Sequence, residues 1–339
     1  MLIRKSISAL KFLGVASVFC AAALTSAQAE TKFSFGLWGD MPYAKAKDQD
    51  KMPAILESIN ASDIAFSIYD GDIKDGSSKC TDDVFSDATK MFNTLKQPTV
   101  YIPGDNEWTD CHRTNNGGYD QLERLAFIRK TMFATPNSFG QKTMALEHQG
   151  KMGEKFVENT RFTKDGVIFV GINMPGSNNN KVLDDKECTN KSARTPEICA
   201  TGNKEYEERD AANVAWMAEG FKLARDSKAP GLVLVWQGDP GFDLPETEEL
   251  DERADPTRSG FTNFLAKLVT ETENYTGQVL IVHGDTHFFK YDKPLYSPTK
   301  LLPNLTRLQT FGSPSIHWVR VTVDPSTQEV FTVHPVTVK

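Results

Sequence analysis

No run of this 339-residue sequence is apolar for the roughly 20 residues a bilayer span needs, and the apolar stretch over residues 12–24 is too short for one. The sequence also lacks G-x-x-x-x-G-K-[ST] and, after its first strand-like run, G-x-G-x-x-G, so the nucleotide-loop classes are unsupported. There is no G-x-S-x-G elbow, which leaves Gly312-Ser313-Pro314-Ser315 as a turn rather than a nucleophile. No repeat with a period of about 20–50 residues is present, so solenoids and propellers are excluded. Basic residues are in deficit, 38 against 45 acidic, for a net charge of −7. Such a surface favours neither nucleic acid nor anionic lipid. An anionic substrate would need a local cation to attract it.

Arg4, Lys5 and Lys11 open the chain, an apolar stretch runs from Phe12 to Leu24, and Ala27-Gln28-Ala29 follows as an A-x-A cleavage site. This predicts a signal peptide over residues 1–29, export to the periplasm or the exterior, and a mature domain over 30–339 without a stable membrane span. Bulky Phe19 before Cys20 argues against a lipoprotein. Cleavage would lower the basic count from 38 to 35 against the same 45 acids. Four cysteines would remain, an even count in an oxidising compartment, with three pairings open to them. Cys188–Cys199, closing a local loop, and Cys80–Cys111, tying two strand-end loops together, are favoured. A zinc knuckle is the rival, but no C-x-x-C spacing supports it.

What is present is an alternation of strands and helices. Strand-like runs cover about 33–39, 64–69, 98–103, 167–173, 231–237 and 278–283, nearly continuous in apolar character, as suits a sheet covered on both faces. Helical patterns fall near 47–60, 81–96, 119–133, 205–227 and 258–274, with Val214, Met217, Phe221 and Ala224 on one face. Four further strands are expected at 287–292, 307–312, 315–323 and 329–335, the third with Trp318 and Arg320 on one side and Val319, Val321 and Val323 on the other. The fold class is α/β, two stacked mixed β-sheets flanked by helices, in one domain. Residues 176–206 and 239–257 read as long polar inserted loops that could wall a pocket.

The strands end in acids. FSFGLWGD stops at Asp40, IAFSIYDGD at Asp72, TVYIPGD at Asp105, and VLIVHGDTH at Asp285 and His287. In an open α/β sheet that edge is where ligands bind. Carboxylates gathered there repel one another unless a cation sits among them. A metal site on strand-end loops follows as the central expectation.

The order G-D, G-D-x-x-D-G, P-G-D-N-E and G-x-x-H resembles the calcineurin-like metallophosphoesterases over roughly residues 33–290. The resemblance implies that family's sandwich fold, one or two metal ions sharing a bridging carboxylate, and attack of an activated water on phosphorus. Asp40 matches the first acid, but Pro42 stands where an imidazole is expected. Asp72 matches the bridging carboxylate and His287 the last His. Asp105 would replace an Asn ligand with Asn106 in place of the His that assists at the phosphate; a one-residue shift would make Asn106 the ligand. Gln237 stands at the lone His, and Asp285 at the first His of G-H-x-H. Replacing imidazole by oxygen favours Mg, Mn or Ca over Zn, with Fe compatible.

His283 and His112, each near an acidic turn, are candidate general acids. Arg113 could clamp a phosphate oxygen with its planar fork, or form a surface ion pair. The EF-hand spacing fails at Lys74 and Gly76, leaving Asp75 to a turn. Trp108 could stack on a substrate or pack against the site wall, and Asn178–Asn180 form a polar turn by default. The resulting expectation is an exported metal-dependent phosphoesterase acting on a small phosphate mono- or diester. The rival is a weak or inactive metal- or anion-binding protein on the same scaffold. A third possibility is that the acids only shape turns.

Overall fold

The computed structural model describes residues 31–242, 259–295 and 301–339. The expected leader and most of the 239–257 loop lie outside the described residues.

Two sheets stack face to face. The first has the order β12 (Phe331–Val336), β11 (Trp318–Val323), β1 (Phe33–Trp38), β2 (Ser67–Tyr69), β3 (Thr99–Tyr101). The second runs β4 (Glu147–His148), β5 (Thr160–Lys164), β6 (Val167–Gly171), β7 (Gly231–Val235), β8 (Gln278–His283), β10 (Leu305–Gln309), β9 (Lys290–Asp292). Each sheet is mixed. β1, β2 and β3 are parallel, as are β6, β7, β8 and β10, while the outer strands pair antiparallel.

The period of two along each strand decides the layers. Phe35, Leu37, Ile68, Val100, Phe169, Val233, Leu280, Val282, Val319 and Val321 point between the sheets into one buried layer. The alternate residues Trp38, Tyr69 and Tyr101 meet Ile55 and Ile59 of α1 (Ala46–Ala61), Phe85 and Phe92 of α2 (Asp82–Phe92), and Ile128 of α3 (Gln121–Thr131). On the far side, Val170, Leu232, Leu234 and Ile281 meet Met217 and Phe221 of α6 (Pro196–Ser227) and Phe264 and Leu268 of α7 (Thr262–Glu273). Strands buried on both faces account for the unbroken apolar runs.

Two segments differ from expectation. Residues 176–206 are not one long loop. They hold α4 (Gly176–Asn179), α5 (Asp185–Thr189) and the first turns of α6, which begins at Pro196. Thr195 caps α6 by accepting from the Ile198 amide, and proline at the first helical position needs no partner for its missing N–H. A strand was also missed. β5 forms a hairpin with β6 through Asp165-Gly166, both at positive φ, the geometry a two-residue hairpin loop requires. Both favoured disulfides stand in the structure, Cys80–Cys111 and Cys188–Cys199.

Candidate metal centre

The parallel strands of both sheets end at one edge, and the loops that leave them converge. One ligand atom from each of Asp40, Asp72 and His287 lies within 4.8 Å of the others. Asp105 and Asp285 stand beside this group: a Cβ added at Gly176 would lie 2.7 and 2.8 Å from the two Asp285 carboxylate oxygens and 2.9 Å from Asp105 Oδ2.

Gly71 turns at a φ of +112°, but the other glycines of the G-D pairs matter for closeness. A Cβ at Gly39 would lie 1.9 Å from Asp70 Oδ1, at Gly104 2.1 Å from Asp72 Oδ1, and at Gly284 2.2 Å from Asp40 Oδ2. Each of these glycines leaves room for the carboxylate of another loop. The unusual φ belongs instead to the residues expected to bind: Asp40 (+50°), Asp72 (+62°), Asp285 (+74°) and His287 (+68°). A non-glycine residue costs about 1–2 kcal/mol in this region, so four at one site mark a place where strain is held by its surroundings.

His287 is oriented for ligation. Its Nδ1–H donates to the Ser313 carbonyl at 2.6 Å, which turns Nε2 toward Asp40 Oδ1 at 3.6 Å. Ser313 also donates its amide to the Asp40 carbonyl at 3.0 Å, so the expected turn is a clamp on both residues. Burial pulls the His287 pKa down, but Asp40 and the Ser313 carbonyl outweigh it and hold it above the ordinary value.

The carboxylates are crowded and short of positive charge. Burial first, then Asp105 and Asp40, push the pKa of Asp72 well up. Burial and Asp105 do the same to Asp285. Among the described residues no Lys or Arg forms an ion pair with Asp40, Asp72, Asp105 or Asp285. Lys74, the nearby cation, spends its ammonium on the carbonyls of Asp75 and Asn106. Asp40 Oδ1 is buried without a hydrogen-bond partner. An orphaned carboxylate oxygen, an imidazole turned to face it and a surplus of acids fit a divalent cation with oxygen-rich ligation.

The other expected residues separate. Asn106 donates its amide to Asp72 Oδ1 (3.1 Å) and its side-chain NH₂ to Asp72 Oδ2 (2.5 Å), while Asp105 turns to Ser177 and Gln237. Gln237 Oε1 accepts from the Gly176 amide at 2.6 Å and its Nε2 faces Asp105 Oδ1 at 3.3 Å. It orients Asp105. His283 is fully buried against Trp236 and Phe242, on the helix side of β8. Burial, then Arg194 and Arg113, push His112 down to about 3, so it carries no acidic proton near neutrality. Arg113 pairs with Asp110 at 2.7 Å and reaches Ser177. Trp108 is fully buried, with the Arg209 guanidinium over its ring, and has no face to offer a substrate. Asp75 accepts from the Ala44 and Ser77 amides, as a turn residue does.

Three contributors were not foreseen. Tyr43, one residue past the Pro42 that displaced an expected imidazole, puts its hydroxyl 3.1 Å from Asp72 Oδ2 and 3.0 Å from His287 Nε2. Burial, then Asp72 and Asp40, hold its phenol protonated. Glu107 takes the Gly104 amide and the Tyr101 hydroxyl on one oxygen, and burial lifts its pKa to about 7. Ser177 bridges Asp105 and Asp110 from within α4, a turn wound left-handed: Ser177, Asn178, Asn179 and Asn180 all have φ between +48° and +64°. Glu107 sits inside the quoted P-G-D-N-E motif and Tyr43 three residues past Asp40; nothing in the sequence marks a left-handed turn at Ser177.

No family model matches the sequence, and no curated protein matches it. Among solved structures it is similar to PhoD, with a TM-score of 0.50 and 12% identity over 87% of this chain and 64% of that one, so it spans somewhat less than two thirds of that protein. It is also similar to GAP50, the anchor in the inner membrane complex of Plasmodium (TM-score 0.42, 13% identity, 91% of this chain and 89% of that one). A third is a dimetal phosphatase from Danio rerio (TM-score 0.46, 10% identity, 91% and 99%). At such identities the likeness concerns the fold alone. The sheet order and layers, together with the likeness to PhoD, bear out the calcineurin-like metallophosphoesterase fold.

Proposed function

We propose that this chain is an exported, metal-dependent hydrolase of small phosphate mono- or diesters. The observation that carries the reading is the convergence of Asp40, Asp72 and His287, with Asp105 and Asp285 alongside, at the strand-end edge of a phosphoesterase fold. Asp40, Asp72 and His287 would hold one cation, and Asp105 and Asp285 would hold a second or complete the first. A bound divalent cation, Mg, Mn or Ca before Zn with Fe compatible, supplies Lewis acidity: it lowers the pKa of water and polarises a phosphoryl oxygen. The protein supplies the arrangement. Asn106 and Tyr43 hold Asp72 by both oxygens, Ser313 fixes the His287 tautomer, and Gln237 and Ser177 aim Asp105. Two disulfides support export, since such bonds persist in oxidising compartments. No helix among the described residues is long and apolar enough to cross a membrane.

The test is Asp72→Asn, with turnover of a generic aryl phosphate and metal affinity read together. Loss of both is expected; unchanged turnover removes Asp72 from the mechanism. A second reading, a metal- or anion-binding protein without turnover, is favoured by the commitment of the Asn106 NH₂ to Asp72 and by the distance of His112 and His283 from proton transfer. Phosphate esters screened with Mg, Mn, Ca and Zn in turn separate the two. Activity that vanishes with chelator favours the enzyme; thermal stabilisation by metal without turnover favours the binder.

A further inference from the structure

A cleft of about 750 Å³ opens on the far side of Ser177 from Asp105. Segment 177–182 lines it together with two short segments, 109–115 and 187–194, which are laced by backbone hydrogen bonds from Ala193 to His112 (2.9 Å) and from Thr114 to Lys191 (3.0 Å). A disulfide pins each of these two, Cys80–Cys111 one and Cys188–Cys199 the other. These two segments are therefore held in place before any ligand arrives, which reduces the ordering cost of binding.

The cleft is cationic in a chain that is acidic overall. Arg113, Lys181, Lys191 and Arg194 line it against two acids, Asp110 and Glu187. Asp110 is taken by Arg113 at 2.7 Å, and Glu187 accepts the Leu183 amide. Arg194 uses only Nε, on the Cys188 carbonyl and Ser192 Oγ, and forms no ion pair among the described residues. Burial pushes its pKa down, against the opposite pull of Glu187 and Asp110. His112, more than nine-tenths buried, also lines the cleft, and its Nδ1 has no hydrogen-bond partner. The arrangement is the electrostatic inverse of the acid cluster next door. Planar guanidinium with free N–H groups matches a carboxylate or phosphate.

We propose that this cleft binds a second oxyanion of the substrate, so that the ester cleaved at the metal centre is a bis-anionic one whose alcohol portion carries a carboxylate or another phosphate. This rests on the phosphoesterase reading for the first anion, while the cleft itself does not. Ser177 is the shared wall: its hydroxyl touches Asp105 on one side and its turn faces the cleft on the other.

The test uses phosphonates, which are not hydrolysed, titrated calorimetrically into the metal-loaded chain. Propylphosphonate is compared with ω-carboxyalkyl phosphonates and α,ω-bisphosphonates of increasing tether length. At the best tether a bis-anion should bind at least about tenfold more tightly than propylphosphonate, as expected of a charge-assisted contact. The carboxylate and bisphosphonate arms identify which oxyanion is preferred. Arg194→Gln should remove that advantage while leaving propylphosphonate affinity unchanged, and Arg194→Lys should restore part of it. No advantage at any tether, or no binding by any member, overturns the proposal, and that comparison on the unaltered chain needs no variant to fold. Turnover of phenyl phosphate, measured separately, keeps the two readings apart: the cleft fails if turnover is present without the advantage, and the cleft stands alone if Arg194-dependent binding appears without turnover.

Discussion

Stripping divalent cations with a chelator and raising the pH from about 5 to about 8 should unfold this protein progressively more easily. Glu107 rises from 4.5 to about 7 and Asp110 from 3.8 to about 7 in the fold, both through burial first. An acid with a raised native pKa keeps its proton in the fold but loses it in the unfolded chain. The native state then binds more protons, and stability falls as pH rises through the window. At about 1.4 kcal/mol per unit, the two acids together lose on the order of 5 kcal/mol between pH 5 and 7. Asp72 and Asp285 shift in the same direction, and the raised pKa of His287 adds the same sign. His112, lowered to about 3, acts oppositely. Its unfolded form binds the proton below about 6.5, so it returns on the order of 2 kcal/mol from pH 5 to 6.5. The net loss is about 3 kcal/mol or more, which for a chain this long is a Tm drop of about 4–5 °C or more. Scanning calorimetry of chelated and Mn-loaded protein across the range reads it. The loaded protein should show a shallower drop, because the cation favours the ionised Asp72 and Asp285, while the buried Glu107 and Asp110 keep their share. A chelated Tm that is flat or rises toward pH 8, or a loaded protein with the same slope as the chelated one, refutes the reasoning.

Gly284→Ala should displace Asp40, because the new Cβ would sit 2.2 Å from its Oδ2; a stability loss of about 1–3 kcal/mol is expected, with metal affinity lowered more than tertiary structure, read by calorimetric metal titration and near-UV circular dichroism. Tyr43→Phe removes a hydroxyl shared by Asp72 and His287, and should weaken chelator-resistant metal retention while costing only about 1 kcal/mol of thermal stability. Retention equal to that of the unaltered chain would leave Tyr43 a packing residue.

The layers were legible because strands buried on both faces show as unbroken apolar runs, and the acids at Asp40, Asp72, Asp105 and Asp285 were legible because each completes a Gly-Asp pair after such a run. Both disulfides could be read from loop proximity. The first half of α6 was not, since residues 196–204 are polar and show no apolar stripe; the Thr195-Pro196 start was the signal available. β5 was hidden the same way, though Asp165-Gly166 marked its hairpin. At the site, the identity of the acids was visible but not their division of labour. Whether Asp105 or Asn106 faces Asp72 depends on how one loop turns, and whether Gln237 binds or orients depends on a backbone amide, Gly176, contributed by a distant segment. Long-range partners leave no local periodicity.

The clamp made by Ser313 has a consequence for how the protein matures. Asp40 closes the first strand, while Ser313 and His287 belong to the last part of the chain, and β11 must dock beside β1 before the three can meet. A growing polypeptide would hold only part of the proposed chelate until β11 arrives. On the proposed metal reading, the cation would be selected only once β11 has docked beside β1 and the fold is nearly complete.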